Sequence, residues 1–357
     1  MLVYFNIDAD TGLTVTGWLV MENVTLTPEF LVTFPDREPV SLRANVFRSD
    51  LVHHGIHATG MAGFQFDAHI IPDIEMADFT ICEASTGHPI YRRRDPKKHF
   101  AKKVMFLEVA AVPQIGMLRN LMANFALRYP FLERQTLDTI NATITHNFSD
   151  SIFVYGHLNW LRHGGYARER DFTTIALLRD PYEELAERLL LIQNLSRQNH
   201  SSSRLRDQLN RFGELAAAVS EMDLQSPKSI LSGFRRLNPI QRRILRSPMT
   251  AALGCAPEEE VNRRHVSVAL DNLADISVVG SRRLFPTFSR IVAGYLGVAG
   301  FEEVGLDTLP GTLQLAKDLS DVGLVGDLLD EDIALYNFVN EALIETNNAY
   351  ENHVTRN

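Results

Sequence analysis

The sequence predicts an α/β protein: a parallel sheet flanked by helices, preceded by a small antiparallel β-sandwich. Two patterns carry this. Residues 1–93 are short alternating runs, "LTVTGWLV", "FLVTFP", "VSLRANVF", "GFQFDAHI", "ADFTICEA" and "PIYRRR", separated by Gly, Pro, Asp and Asn. Alternation with frequent turn residues is the signature of strands that bury one face, as in a sandwich. From residue 104 the chain changes to near-continuous apolar strands, each running into a helix, which implies a sheet covered on both faces.

The elements follow in order. The basic run "RRRDPKKHFAKK" has no apolar periodicity to bury it and separates the two patterns. The expected organisation is therefore a sandwich domain at 1–93, a basic linker at 94–103 and an α/β domain at 104–357. Strand "KVMFLEVAA" leads into a helix over "GMLRNLMANFALRY". Strand "SIFVYGHL" comes next, then "FTTIALL" running into "PYEELAERLLLIQNL". Further helices are expected near 204–219, 258–273, 286–296 and 328–345, with a strand "ISVVG" between two of them and a loop at Ser201 to Ser203.

Composition narrows the function classes. With 35 basic against 44 acidic residues the formal charge is −9, which opposes nonspecific adhesion to nucleic acid or anionic lipid. No run of about 18 apolar residues suggests a membrane span. Cys82 and Cys255 lie far apart and outside any Cys-x-x-Cys spacing. That excludes a disulfide framework and a zinc ribbon and fits a reducing, cytoplasmic setting.

In an open α/β sheet, ligands bind beyond the carboxyl ends of the strands. Three segments qualify: "EVAAVPQIGM", "GHLNWLRHGG" and "RDPYEE". In the first, Glu108 ends a strand and is either a buried, paired carboxylate or an acid/base group. The start of the next helix, near Gly116 and Met117, can offer backbone N–H groups to an anion. In the second, His157 is either a general base or a hydrogen-bonding residue at a strand end. His163 is placed on a mobile Gly-rich turn, and Trp160 offers a stacking face for a sugar or fills the core. In the third, Arg179 precedes a helix whose first turns carry Glu183, Glu184 and Glu187. Carboxylates there complement the positive end of the helix dipole, worth about 0.3–1 kcal/mol each.

Arg162, Arg168 and Arg170, and later Arg235, Arg236, Arg242, Arg243 and Arg246, either line a groove for an anionic saccharide or phosphate or form a solvated face. His53 and His57 have the spacing of two ligands on one helical turn, but no Cys or carboxylate pattern completes a metal site, and none is expected.

The order of these parts resembles the sulfotransferases that use the donor PAPS, especially the branch acting on carbohydrate hydroxyls. "FVYGHL", with Gly156 and His157, is similar to that family's second strand and its Gly-His pair. "LLRDP", Leu178 to Pro181, is similar to its third strand, while "LNPIQRRIL", "VALDNLADISVVGSRRLFPTFSRIVAGYLG" and "LDEDIALYNFVN" resemble later segments. The likeness covers about residues 102–345. It implies a P-loop-like sheet and transfer of a sulfuryl group from PAPS to a carbohydrate or glycan acceptor. In those roles His157 and Glu108 would be catalytic, and Arg179, Gly116 and Met117 would hold the donor. Arg162, Trp160, Arg242 and Arg243 would meet the acceptor.

Two departures stand against that activity. The family's loop Lys falls on Ala111 or Val112, so that Lys102 or Arg119 would have to replace it. Glu184 stands where the family has a second Arg, and Glu187 where it has a phosphate-binding Ser. The alternative is a non-catalytic or repurposed protein of the same fold that binds a glycan or a protein. "RANVFRSDLVHHGIHATGMAGFQFD" resembles a β-sandwich module found beside bacterial carbohydrate-modifying transferases, which implies an accessory or docking role for the N-terminal region.

Overall fold

The computed structural model describes residues 2–198, 209–210 and 212–354. The expected loop at Ser201 to Ser203 lies outside the described residues.

Three sheets are present. Strands β1 (Leu2–Asp10), β2 (Val15–Met21), β5 (Val46–Phe47) and β6 (Met61–Phe66) form one antiparallel sheet in the order β1-β2-β6-β5. A second has the order β4-β3-β7-β8, from β3 (Glu29–Thr33), β4 (Val40–Arg43), β7 (Thr80–Glu83) and β8 (Pro89–Arg92). Their inward residues share one core: Phe30 of one sheet meets Phe64 and Phe66 of the other at ring distances of 4.9 and 5.6 Å. Side chains alternate between faces along a strand, and β2 and β3 bury alternate residues accordingly, whereas β7 buries Ile81, Cys82 and Glu83 in succession. Between the sheets' strands, α1 (Ser49–His53) is a single short helix.

The third sheet is five-stranded, in the order β10-β11-β9-β12-β13, from β9 (Lys103–Leu107), β10 (Leu127–Tyr129), β11 (Ile152–Gly156), β12 (Thr173–Leu178) and β13 (Val278–Ser281). Pairs β10–β11 and β12–β13 are parallel. All five residues of β11 are buried, which is why this segment reads as an unbroken apolar run.

One expected helix is shorter than its pattern. Helix α2 (Ile115–Met122) stops at Met122, and 127–129 of "GMLRNLMANFALRY" is instead β10. Leu127 and Tyr129 are buried, and the Leu127 N–H is bonded to the Ser151 carbonyl, so a sheet edge overrides the helical spacing.

By internal contacts the chain separates into two compact units. Unit 1 comprises residues 1–106, 122–157 and 165–173, and unit 2 comprises 107–121, 158–164 and 174–357. Unit 1 holds the sandwich and α3 (Leu137–Thr145), whose Thr139 hydroxyl donates to the Leu2 carbonyl at 2.5 Å.

Unit 2 is mainly helical. It holds α5 (Pro181–Gln198), α6 (Glu214–Ser220), α7 (Pro227–Arg236), α8 (Pro239–Leu245), α9 (Pro248–Gly254), α10 (Arg264–Ala274), α11 (Phe285–Leu296), α12 (Thr312–Ser320) and α13 (Gly323–Val354). Its core draws on α5, α6, α7, α12 and α13 through Leu185, Leu189, Leu215, Ile230, Leu315 and Val325. Helix α10 starts six residues later than position 258, and Glu258, Glu259 and Glu260 are exposed residues ahead of it. The expected helix at 204–219 appears in its described part as α6. No described helix is long and apolar enough to cross a membrane.

Candidate functional site: a buried cluster of carboxylates and guanidiniums

The third strand-end segment and its surroundings make a buried polar site in unit 2. Strand β12 ends at Leu178 and the chain turns through Arg179 and Asp180 into α5. Asp180 starts the helix: its Oδ1 accepts the N–H groups of Tyr182 and Glu183 at 3.0 and 3.1 Å. With that carboxylate capping the first turn, the glutamates behind it are free for other partners.

Glu184 is buried, and its Oε1 accepts the backbone N–H of Ala111 at 3.0 Å. The same oxygen takes both the Nε and Nη2 hydrogens of Arg188, at 3.1 and 2.7 Å. One turn further on, Glu187 is completely buried. Its Oε2 is in ion-pair contact with Arg179 Nη1 and lies 3.3 Å from Arg282 Nη1, while its Oε1 faces the Leu309 N–H at 3.4 Å. Arg179, 2% exposed, also has Nε 3.4 Å from Glu183. Among the described residues neither Arg179 Nε nor Nη1 makes a hydrogen bond, and its contacts with Glu183 and Glu187 are ion pairs.

Arg282 follows β13. Its Nη2 donates to the Val112 carbonyl at 3.1 Å, so a guanidinium reaches the loop after β9. Burial lowers its pKa, as does the cation of Arg179 beside it, while Glu108, Glu187 and Glu184 pull the other way. Glu108 itself is buried, and its carboxylate accepts the Ala110 N–H at 2.8 Å. The loop is further pinned by Gln114, which exchanges two hydrogen bonds with the backbone of Asp307, at 2.6 and 3.0 Å. The site thus joins Glu108, Arg179, Glu184, Glu187, Arg188 and Arg282.

Glu183 and Glu184 both stand in the first turn of α5, where the dipole reading has them. Glu184 does more than complement the dipole, because it is buried and bonded to another segment's amide. Sequence reasoning missed Arg282 and Arg188. Arg282 stands just past the carboxyl end of a strand, the position that led to the other three segments, and the same rule applied to "ISVVGSRR" finds it.

Comparison of the chain with models of known families and with curated proteins returns no match.

The other expected residues are placed as follows. Gly116 and Arg119 are exposed on α2, whereas Met117 is buried. In unit 1, His157 is exposed, and its N–H is bonded to Glu133 Oε2 at 3.2 Å. A Cβ at Gly156 would collide with that carboxylate, so the glycine makes room for it.

Trp160 is 2% exposed and packs over Gly164, where a Cβ would lie 2.7 Å from the indole ring. A sugar face needs an open ring, and this one belongs to the core. His163 is not on a turn but inside α4 (Trp160–Glu169), buried, with burial first and Arg162 second lowering its pKa to about 4. Arg162 is paired with Glu258 at 2.7 Å. Arg242 and Arg243 are exposed on α8.

His53 and His57 do not share a helical turn, because α1 ends at His53. Both ring nitrogens of His57 are engaged: Nε2 with the Leu26 carbonyl at 3.0 Å, and Nδ1 with the Gly60 N–H at 3.0 Å.

Cys255, Glu259 and His265 bring a thiol, a carboxylate and an imidazole within 4.8 Å of one another. The tautomer decides what this trio can do. His265 Nδ1 accepts the Asn262 N–H at 3.0 Å, so the neutral ring carries its proton on Nε2, the atom 3.1 Å from Glu259. An N–H there donates to the carboxylate and has no lone pair for a cation. Arg264 Nε stands 3.4 Å from the same nitrogen and adds positive charge.

Proposed function

We propose that this chain is a non-catalytic, repurposed protein of the sulfotransferase fold type that works by binding a glycan or protein partner, its donor-anion position being filled by its own carboxylates. The observation that carries the reading is the pair of internal salt links: Glu184 on the Ala111 amide and Arg188, and Glu187 between Arg179 and Arg282. A donor phosphosulfate would need the loop amide and the strand-end arginine, and in this chain both already face a carboxylate.

The energetics favour the internal arrangement. A phosphate oxygen about 4 Å from either carboxylate would be repelled by about 1 kcal/mol with full water screening and about 4 kcal/mol near a protein surface. Displacing Glu187 would strand a fully buried charge, a change of about 3–5 kcal/mol in comparable buried pairs. On this reading PAPS does not fit the residues present, and no chemical step runs through it. The carboxylates act as a permanent internal anion that ties the loop after β9 to α5 and to the segment after β13.

Thermal denaturation with adenosine 3′,5′-bisphosphate tests this. The expected result is an unchanged Tm at millimolar ligand. A ligand present at about a hundred times its Kd would stabilise the fold by about 2.7 kcal/mol, and a rise of that order in the wild-type protein would overturn the reading. Sulfuryl transfer from PAPS to any saccharide would overturn it as well.

A further inference from the structure

We propose that the elbow between α7 and α8 is a docking surface for an acidic, partly apolar segment of another protein. The proposal rests on reading the chain as a binding protein, and it uses none of the residues of the buried cluster.

Charge is segregated here more sharply than elsewhere in the chain. From Leu224 to Ala256 there is no Asp or Glu, while Lys228, Arg235, Arg236, Arg242, Arg243 and Arg246 all fall within the stretch, in a protein with a formal charge of −9. Arg235 and Arg236 close α7, and Arg242 and Arg243 lie in the last turn of α8. All four are exposed. A helix C-terminus presents about half a negative charge, so two arginines per helix exceed what the dipoles require.

Their partners are backbone carbonyls. Arg242 Nη2 donates to the Arg235 carbonyl at 3.2 Å, which brings the guanidinium of the second helix beside the end of the first. Arg236 Nε donates to Ser232 at 3.4 Å, and Arg243 Nη2 to Pro257 at 3.1 Å. Among the described residues none of these four is ion-paired with a carboxylate. Glu214, beside the start of α8, is bonded to the Asn238 side chain at 2.9 Å. Two exposed arginines elsewhere in unit 2 are paired, Arg162 with Glu258 and Arg263 with Asp330.

An apolar anchor sits in the same place. Ile240, 61% exposed, lies three residues before Arg243 and so shares its side of α8. An exposed aliphatic side chain among arginines, with a single lysine nearby, matches the composition of protein interfaces, where Arg is enriched and Lys depleted. Other occupants fit less well. The only aromatic residue from Leu224 to Ala256 is Phe234, which is buried, so there is no ring on which a base or a sugar can stack. A bilayer would bind through charge over a wide area, whereas the exposed Glu258, Glu259 and Glu260 beside Arg243 confine the cationic surface to the elbow, a footprint for a short segment.

Fluorescence anisotropy with a synthetic amphipathic peptide carrying Glu and Leu at helical spacing tests this on the full chain. The expected result is saturable binding that weakens with salt. Affinity should fall at least about tenfold in R235A/R236A/R242A, roughly the loss of several charge contacts, and measurably in Ile240→Ser. These are surface changes, and far-UV circular dichroism checks that the variants fold. No saturable binding by the wild-type chain, or unchanged affinity in the triple variant, would overturn the proposal. So would equal binding of a Leu-free glutamate peptide, a sulfated oligosaccharide or phosphatidylserine vesicles. The bisphosphate experiment reads the buried cluster alone, so the two ideas can fail separately.

Discussion

Glu184 and Ala111, separated by 73 residues, are joined by a hydrogen bond of 3.0 Å between a carboxylate and a backbone amide. Loop amides in this position of an α/β sheet ordinarily offer a site for a ligand anion. Here α5, the helix after β12, provides the anion, and its Glu187 does the same for the guanidiniums of Arg179 and Arg282.

Removing one of those carboxylates should therefore leave positive charge buried and unpaired. Glu187→Ala is expected to destabilise unit 2 by about 3–5 kcal/mol, as breaking a buried pair does. Inorganic sulfate should recover part of the loss by entering the vacated position, raising the Tm of the variant more than that of the wild type. Equal sulfate response in both proteins would show that the carboxylate does not stand in for an anion.

Two buried histidines make unit 1 sensitive to acid. Burial lowers the pKa of His146 to about 3 and that of His88 to about 4. Among the described residues neither nitrogen of the His146 ring has a hydrogen-bond partner, while His88 Nε2 is 3.1 Å from the Thr143 hydroxyl. Both values lie below the unfolded value near 6.5, so the stability they contribute is complete above 6.5 and is lost as pH falls from there toward 3. Each group costs up to about 1.4 kcal/mol per pH unit in that window. His146→Phe, which keeps a ring stacked on Phe148, should flatten the fall in Tm between pH 7 and 5. A variant with the wild-type pH profile would refute this.

Asp332 works in the opposite direction. This buried residue of α13 accepts the N–H groups of Met249 and Thr250 at 3.0 and 2.7 Å, at the start of α9. Burial raises its pKa to about 7 despite those bonds. Its folded value exceeds the unfolded 3.8, so its contribution is complete below 3.8 and is lost as pH rises through 7. Urea titrations at pH 5 and 8 should show Asp332→Asn without this component: the difference between wild type and variant shrinks as pH rises. A constant difference would exclude the titration.

The close approach of Trp160 to the α4 backbone gives a steric prediction. Gly164→Ala would place a Cβ 2.7 Å from the buried indole and should cost about 1–3 kcal/mol, as overpacking does in a filled core. Gly165→Ala, with open space at its Cβ, is the control and should be neutral or stabilising. Similar Tm values for the two variants would contradict the packing described.

Local pattern alone determined much of this protein. The alternating runs before residue 93 specify strands with one buried face, and the apolar "IFVYG" and "TIALL" specify central strands of a parallel sheet, because burial on one face or two leaves its own periodicity. The Arg-Asp-Pro turn at 179–181 was legible in the same way, since Asp180 caps the helix through its own neighbours. What the turn holds was not legible. Glu184 and Glu187 read equally well as a solvated acidic start to a helix, and only the fold brings Ala111 and Arg282 to them, from 73 and 95 residues away. Pairing across such separations depends on which strands become neighbours, and that information is global. The same holds for Leu127 to Tyr129, a helical continuation by spacing that became a strand because a sheet edge was there to take it.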